Sequence, residues 1–403
     1  MNSKKRRLRV ASIISTLDLK TGGPAKTILD QNIFFKKVKK YQADIVSLEH
    51  KHALPKYFLS LKIKKIINFS RHSFFYKFKF LGINRYPIQL NFLNWLIKNK
   101  NNYDVFILHG IWDFKNLVAR LFIKKKYYIF LHGSLDPYER KNFFKYIKKK
   151  IYWFLVEKRN LKHAKAVLFT TASEKRINKN TFVNTDGLNK LTIDYAIILE
   201  KYNNSVCSNK FFKVYPFLKN KKYYLFLGRI DPKKGCDILL RSIHLLGNKF
   251  KSNLVFAGDY NNSTGEELKK LVTKLDLQEK VFFLGHLINE IKGGVLINSK
   301  AMLLCSHDEN FGISLVESLG YGKPVLTTYK VNIFKKILAY KAGYIANDNA
   351  KSFCRIINKF ENLNLRQKRL MSKNARNCFK ENFNLLNKKD FIPDFENNNI
   401  FKK

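Results

Sequence analysis

The 403-residue sequence contains no C-x-x-C pair: its five cysteines, Cys207, Cys236, Cys305, Cys354 and Cys378, stand apart along the chain. That spacing indicates neither a disulfide framework nor a zinc site, and it fits a reducing compartment. Long apolar runs are lacking as well. Stretches such as "YYIFL" and "AMLLC" fall far short of the ~20 residues a membrane-spanning helix needs. The basic start, "MNSKKRRLRVASIIST", has too short an apolar run for a signal peptide and no small-residue cleavage site, so it reads as a first strand. Acidic residues are scarce, with Asp+Glu 30 against Lys+Arg 77 and a formal net charge of +47. Such a surplus predicts attraction to phosphates, anionic lipid or nucleic acid and says nothing about fold. Part of it accompanies A/T-rich codons, since Lys, Asn, Ile, Phe and Tyr are abundant together. No zinc finger, RNA-recognition signature or repeated basic-aromatic platform is present, which argues against a nucleic-acid binder. Nor does any His, Asp and Glu cluster resemble a metal site.

What the chain does have is 45% hydrophobic content, enough for a large core and more than one domain. Short apolar runs recur with helical stretches between them. "RVASIIS", "ADIVSL", "DVFILHG", "YYIFLHG" and "AVLFTT" fill the first half, and "YYLFLGR", "NLVFAGD", "VFFLG", "AMLLCS" and "PVLTT" the second. Runs apolar throughout predict parallel strands buried on both faces, hence two doubly wound α/β domains. Residues 200–222 are polar and aperiodic in their first half and read as a linker. The Asn- and Lys-rich end, after about residue 380, reads as a partly disordered tail. The expected organisation is residues 1–200, 201–385 and a tail at 386–403.

In an open parallel sheet, ligands sit beyond the carboxyl ends of strands, on loops leading into helix N-termini. "SHDENFGISLVESLGYGKPVLTT", residues 306–328, has that form. "AMLLC" is the strand, "SHDENFG" the loop, and the helix ends at Gly320 and Gly322 before Pro324. Amides near Gly312, Ile313 and Ser314 are expected to be unpaired donors for a phosphate or sugar hydroxyl. Glu309 faces the same crevice from the loop, and Glu317 lies where a carboxylate can accept from a ribose diol. The plainer alternatives are a helix-dipole partner for Glu309 and a solvated helix position for Glu317. A second feature, "LFLGRIDPKKGCDILLRSI", residues 225–243, places Arg229 and Lys234 on one loop ahead of a helix beginning near Cys236. A guanidinium and an ammonium there can clamp a diphosphate and stabilise its charge as it departs, although two cations among 77 carry little weight alone. His132 stands at a strand end ahead of Gly133, either structural or facing a ligand. His109, in "LHGIW", has similar local form and reads as a supporting residue.

Taken in order, "GRIDPKKGCDILLRSI", "FAGD", "VFFLGHL" and "SHDENFGISLVESLGYGKPVLTT" resemble the donor half of the retaining glycosyltransferases of family four, which have the GT-B fold. The Glu, seven residues, Glu arrangement is that family's signature. "TGGPAKTILD", "DVFILHGIWDF" and the block from "YYIFLHGSLDPYERKNFF" to "KHAKAVLFTT" extend the resemblance over roughly residues 8–380, toward a branch acting in bacterial polysaccharide assembly.

The resemblance implies a GT-B architecture, two Rossmann-like domains with a cleft between them, the first facing an acceptor and the second holding a nucleotide-sugar donor. It implies that Glu309 meets the donor sugar and Glu317 the ribose, with Arg229 and Lys234 on the diphosphate. Asn310, Phe311, Gly312 and Ile313 fall where backbone groups hold sugar and phosphate. Gly22 and Gly23, with Pro24, match the loop that approaches the donor phosphates, and His132 matches the histidine facing the reacting sugar. No metal or other cofactor is implied. Two departures stand out. The family's Asn-Gly turn has no counterpart in "LTIDYAIILEKYNN", and Lys233 replaces the usual Glu before the Lys-Gly of the basic loop.

The expected function is retaining transfer of a sugar from a nucleotide diphosphate sugar to a saccharide or lipid-linked saccharide, in cell-surface polysaccharide or lipopolysaccharide synthesis. The alternative is a non-catalytic relative that binds nucleotide sugar or scaffolds an assembly complex. Aromatic-basic segments such as "RHSFFYKFKFLG", "KKKYYIF" and "KNFFKYIKKKIYWF" suit an anionic membrane surface. The expected place is therefore cytoplasmic, peripheral on the inner face of the membrane, with no nucleic-acid partner.

Overall fold

A computed structural model describes residues 6–18, 23–38, 40–49, 66–68, 74–78, 83–88, 90–124, 127–135, 143–177, 185–193, 195–200 and 202–389. The chain forms two units that divide between Tyr195 and Ala196, the second ending at Asn387.

In the first unit, the strands β1 (Leu8–Thr16), β2 (Tyr41–Glu49), β3 (Ile66–Asn68), β6 (Val105–His109), β7 (Tyr127–Phe130), β8 (Ala166–Phe169) and β9 (Lys190–Thr192) form one sheet, with β4 (Phe74–Phe78) and β5 (Ile83–Ile88) a separate antiparallel pair. Sheet order is β3-β2-β1-β6-β7-β8-β9, every pairing parallel. β6, β7 and β8 are buried along their whole length, as runs with no polar alternation require when helices cover both faces.

The second unit carries β10 (Tyr223–Leu227), β11 (Asn253–Ala257), β12 (Val281–Gly285), β13 (Met302–Leu304), β14 (Val325–Thr328) and β15 (Gly343–Ala346). Their order is β12-β11-β10-β13-β14-β15, again all parallel. In both sheets the chain builds outward from its first strand on one side and then crosses to the other. The switch points lie between β1 and β6 and between β10 and β13, where a doubly wound sheet opens a crevice at its carboxyl edge.

The segment read as a linker contains a helix of the second unit, Asn204–Val214, capped by the Asn203 side chain on the amides of Ser205 and Val206. Cys207 and Phe211, four residues apart, are fully buried. They pack on the helix Asn289–Asn298 at Gly294, where an added Cβ would lie 2.4 Å from both Cys207 O and Phe211 Cβ. The tail from 390 to 403 and the glycine Gly22 lie outside the described residues.

Candidate active site

Two loops leave the switch point of the second sheet. The first follows β10 and carries Arg229 and Lys234; its single 3-10 turn, Pro232–Lys234, is capped by Asp231, whose carboxylate accepts from Lys233 N at 2.9 Å. Gly235 then adopts a left-handed conformation (φ +60°) and opens the helix Cys236–Leu246. A Cβ there would meet Cys305 O at 2.1 Å, so only glycine lets this loop lie against the end of β13. The contact continues along the chain: Lys233 O accepts from His307 N at 2.9 Å and from Ser306 Oγ at 3.0 Å.

The second loop follows β13 and carries Glu309. Its backbone is fixed by Glu309 N donating to Lys330 O and Asn332 N donating to Glu309 O, each at 3.0 Å. The carboxylate has two partners: Oε2 accepts from Lys234 Nζ, and Oε1 accepts from Gly312 N at 3.2 Å. Burial would raise this carboxyl, but Lys234, Lys233 and the Gly312 amide together hold it below the ordinary glutamate value. Gly312, at φ +72°, turns the chain into the helix Ile313–Gly320. The expectation that its amide is unpaired is corrected here, because Glu309 takes it; the first-turn donors past it are Ile313 and Ser314. Asn310 Oδ1 accepts from Asn332 Nδ2 at 3.2 Å, and the Phe311 ring is buried edge-on against Phe383.

The structure therefore brings Lys234 and Glu309 together. Arg229 is exposed on the same loop, with no side-chain hydrogen bond or ion pair among the described residues. Glu317 is neither solvated nor near Lys234's ammonium in a pair: it is 5% exposed, and its Oε1 accepts from Lys292 Nζ at 2.7 Å, on the helix Asn289–Asn298. Lys292 had no sequence signal, being one cation among many. Its partner's Oε2 makes no hydrogen bond among the described residues.

In the first unit, Gly23 begins the helix Gly23–Val38 beyond β1. His109 closes β6, and His132 follows β7 at φ +51°, a left-handed position that non-glycine residues seldom occupy. His109 Nδ1 and His132 Nε2 are 2.9 Å apart, and the His132 ring stacks on Phe130 with centroids 3.8 Å apart. Glu174 holds this turn. Its Oε1 accepts from Gly133 N at 2.9 Å, while Oε2 accepts from Thr170 N and Oγ1 at 2.7 and 2.8 Å. Burial, with Lys115 nearby, pushes His132 down to about 3, and burial, His132 and Lys115 push His109 well below its usual value. Both imidazoles are neutral. Lys115, itself fully buried, donates to Asp113 Oδ2 and, at 3.2 Å, to Ser15 Oγ. Glu174 and Lys115 also escaped sequence reasoning, since nothing local distinguishes a buried charge from a solvated one.

Residues 208–378 match the family model described as glycosyl transferases group 1. The match lies within the second unit and covers less than half of the chain. That match meets the resemblance to family-four enzymes read from the motifs. The chain is 27% identical over 169 residues to the alpha-1,3/1,6-mannosyltransferase ALG2 of Dictyostelium discoideum, covering 38% of this chain and 40% of that protein. It is 27% identical over 219 residues to the O-antigen chain mannosyltransferase RfbU of Salmonella typhimurium, covering 53% and 56%. The chain thus spans about half the length of these curated relatives. Among solved structures, HepE of Anabaena in complex with UDP and glucose matches with a TM-score of 0.71 at 15% identity, over 94% of this chain and 96% of that one. The chain therefore has the GT-B fold, as expected.

Proposed function

We propose that the protein is a retaining glycosyltransferase. It moves a hexose-like sugar from a nucleotide diphosphate sugar to a hydroxyl of a saccharide or lipid-linked saccharide, in cell-surface polysaccharide synthesis on the cytoplasmic face of a membrane. The observation that carries this reading is the joining of the basic loop to the acidic loop, through Lys234 and Glu309, at the switch point between β10 and β13. The mannosyltransferase names of ALG2 and RfbU support sugar transfer, and the UDP and glucose of the HepE complex support a nucleotide-sugar donor.

In the proposed reaction the acceptor oxygen bonds to the anomeric carbon on the face from which the diphosphate departs. The bond from that carbon to the phosphate oxygen breaks, and the acceptor proton passes to the departing diphosphate. Arg229 and Lys234 stabilise the charge that develops there, assisted by the N-terminal amides of the helix Ile313–Gly320. Glu309, kept ionised by its partners, positions the sugar hydroxyls, and the free oxygen of Glu317 accepts from the ribose. Asn310, Phe311 and Ile313 contribute backbone contacts. No step calls for a metal.

A thermal-shift panel of UDP-, GDP-, ADP- and TDP-sugars with wild type and Arg229→Ala tests the donor site. A ligand at 100 times its dissociation constant adds about 2.7 kcal/mol of stability. Stabilisation by one base family, weakened in the variant, is expected; none at millimolar ligand would favour the non-catalytic scaffold. The anomeric configuration of the product, read by proton NMR, tests retention.

A further inference from the structure

The helical run Phe143–Tyr152, Trp153–Glu157 and Lys158–His163 of the first unit has two faces of opposite character. Inward, Trp153, Glu157, Asn160 and Leu161 are buried to 1% exposure or less. Outward, Ile147, Ile151, Phe154 and Leu155 are 38, 55, 53 and 62% exposed. Their spacing of four, three and one keeps them on one stripe of the helix. We propose that this stripe is a docking surface for an anionic lipid bilayer.

Charge complementarity selects that partner. Lys148, Lys150, Arg159 and Lys162 are exposed around the stripe, and Lys158 Nζ lies 6.0 Å over the Phe154 ring. Lys149 lays its ammonium 5.3 Å over the Trp112 ring, keeping its stem along apolar surface. The run's single acidic residue, Glu157, points inward and accepts from Asn116 and Asn160. The outward face therefore combines apolar side chains with cations and no anion. A second copy of the chain would bring like charges together. A nucleic acid would use the cations and the single Phe154 ring but leave the aliphatic Ile147, Ile151 and Leu155 without a partner. A bilayer takes both: acyl boundary for the apolar stripe, anionic headgroups for the lysines. Among the described residues no helix is long and apolar enough to cross a membrane, so the contact is with the surface. The turn Trp153–Glu157 is widened to π geometry, a local departure that recurs at functional sites.

This surface deepens the lipid-linked reading of the acceptor and rests on it for its role, but its test is independent of sugar transfer. Co-sedimentation of the full chain with phosphatidylcholine vesicles, with and without phosphatidylglycerol, reads binding directly. Wild type should bind the anionic vesicles at least about tenfold more tightly, and added salt should weaken that binding. Phe154→Ser/Leu155→Ser and Lys148→Glu/Lys150→Glu should each lose most of the binding. Their thermal midpoints and nucleotide-sugar stabilisation should stay at wild-type values, because the replaced side chains are exposed. Undiminished vesicle binding in both variants would overturn the proposal. So would wild-type binding that ignores phosphatidylglycerol, or variants that lose a bound oligonucleotide while keeping vesicles. Vesicle binding by a wild type that no nucleotide sugar stabilises would sink the proposed activity and leave the docking surface standing.

Discussion

Lys234 and Glu309, 75 residues apart in sequence, form an ion pair whose side chains are 18% and 16% exposed. It links the two loops at the switch point of the second sheet. Lys234→Met keeps the stem and removes the ammonium, leaving a carboxylate largely out of water with only the Gly312 amide as a direct partner. Breaking such a pair costs about 3 kcal/mol. The native Glu309 value lies below the unfolded one, so its contribution is present above the ordinary carboxylate range and lost as pH falls through the native value. In Lys234→Met burial dominates and that value rises, so the deficit should shrink as pH is lowered toward 4. Urea unfolding at pH 7.5 and pH 4.5 measures it. Adding Glu309→Gln should restore most of the stability at neutral pH and none of the transfer activity.

Gly235 offers a sharper test of the same junction. Alanine there meets both a left-handed backbone and a carbonyl oxygen 2.1 Å from its Cβ, neither of which can yield. Gly285→Ala is the control, with φ +76° and nothing within 4 Å. The left-handed penalty alone is about 1 kcal/mol, and overpacking against backbone adds about 2. Gly235→Ala should therefore lose about 3 kcal/mol and weaken nucleotide binding, while Gly285→Ala loses about 1 and leaves the basic loop in place. Equal losses would mean that the close approach to Cys305 is unimportant.

Much of this architecture was legible in sequence because buried parallel strands are apolar throughout, as in "VFILH" and "YYLFL". The short edge strands β3, β9 and β15 were not, having three or four residues and, at β9, no apolar run. The helix Asn204–Val214 was hidden for a different reason. Its buried face is only Cys207 and Phe211, too narrow a stripe to show periodicity among the polar residues around it. At the site, loop-to-helix motifs located Lys234 and Glu309, but partners contributed by other elements carry no local pattern. Lys292 beside Glu317 and Glu174 at the Gly133 amide become visible only when packing brings distant helices to the same strand ends.

Lys292 leads to a prediction about the ribose. Holding Oε1 of Glu317 at 2.7 Å, it fixes the carboxylate so that Oε2 is presented in one orientation. Glu317→Gln retains the size but halves the acceptor capacity, and Lys292→Met frees the carboxylate without removing it. Calorimetric titration with UDP and GDP should show the affinity for the preferred nucleotide falling by about tenfold in Glu317→Gln, the loss of one charged hydrogen bond of about 1.5 kcal/mol. Lys292→Met should lose less. Its free diphosphate affinity, measured with pyrophosphate, should be unchanged in both, because Arg229 and Lys234 lie on another loop.

The buried imidazoles and Glu157 pull stability in opposite directions with pH. His109 and His132 stay neutral in the native protein, whereas in the unfolded chain they protonate near 6.5. The unfolded state then binds more protons, so the two histidines make stability rise with pH until about 6.5. Burial pushes Glu157 up to about 7, only partly offset by the amides of Asn116 and Asn160 and by Lys115, with Asp113 adding to the rise. Between about 4.5 and 7 the native state holds a proton there that the unfolded state has released, so Glu157 makes stability fall with pH. Near pH 5.5 two upward contributions meet one downward, each at most about 1.4 kcal/mol per pH unit. Glu157→Gln keeps an acceptor for Asn116, puts an amide donor where Oε2 accepted from Asn160, and removes the downward contribution. Its urea-derived stability should therefore climb more steeply than wild type from pH 5 to 6.5, by about 1 kcal/mol per unit. Parallel curves would place Glu157's proton outside that window, and imidazole nitrogen shifts of His132 that move between pH 5 and 7 would show the histidine pair to be wetter than its packing against Phe130 allows.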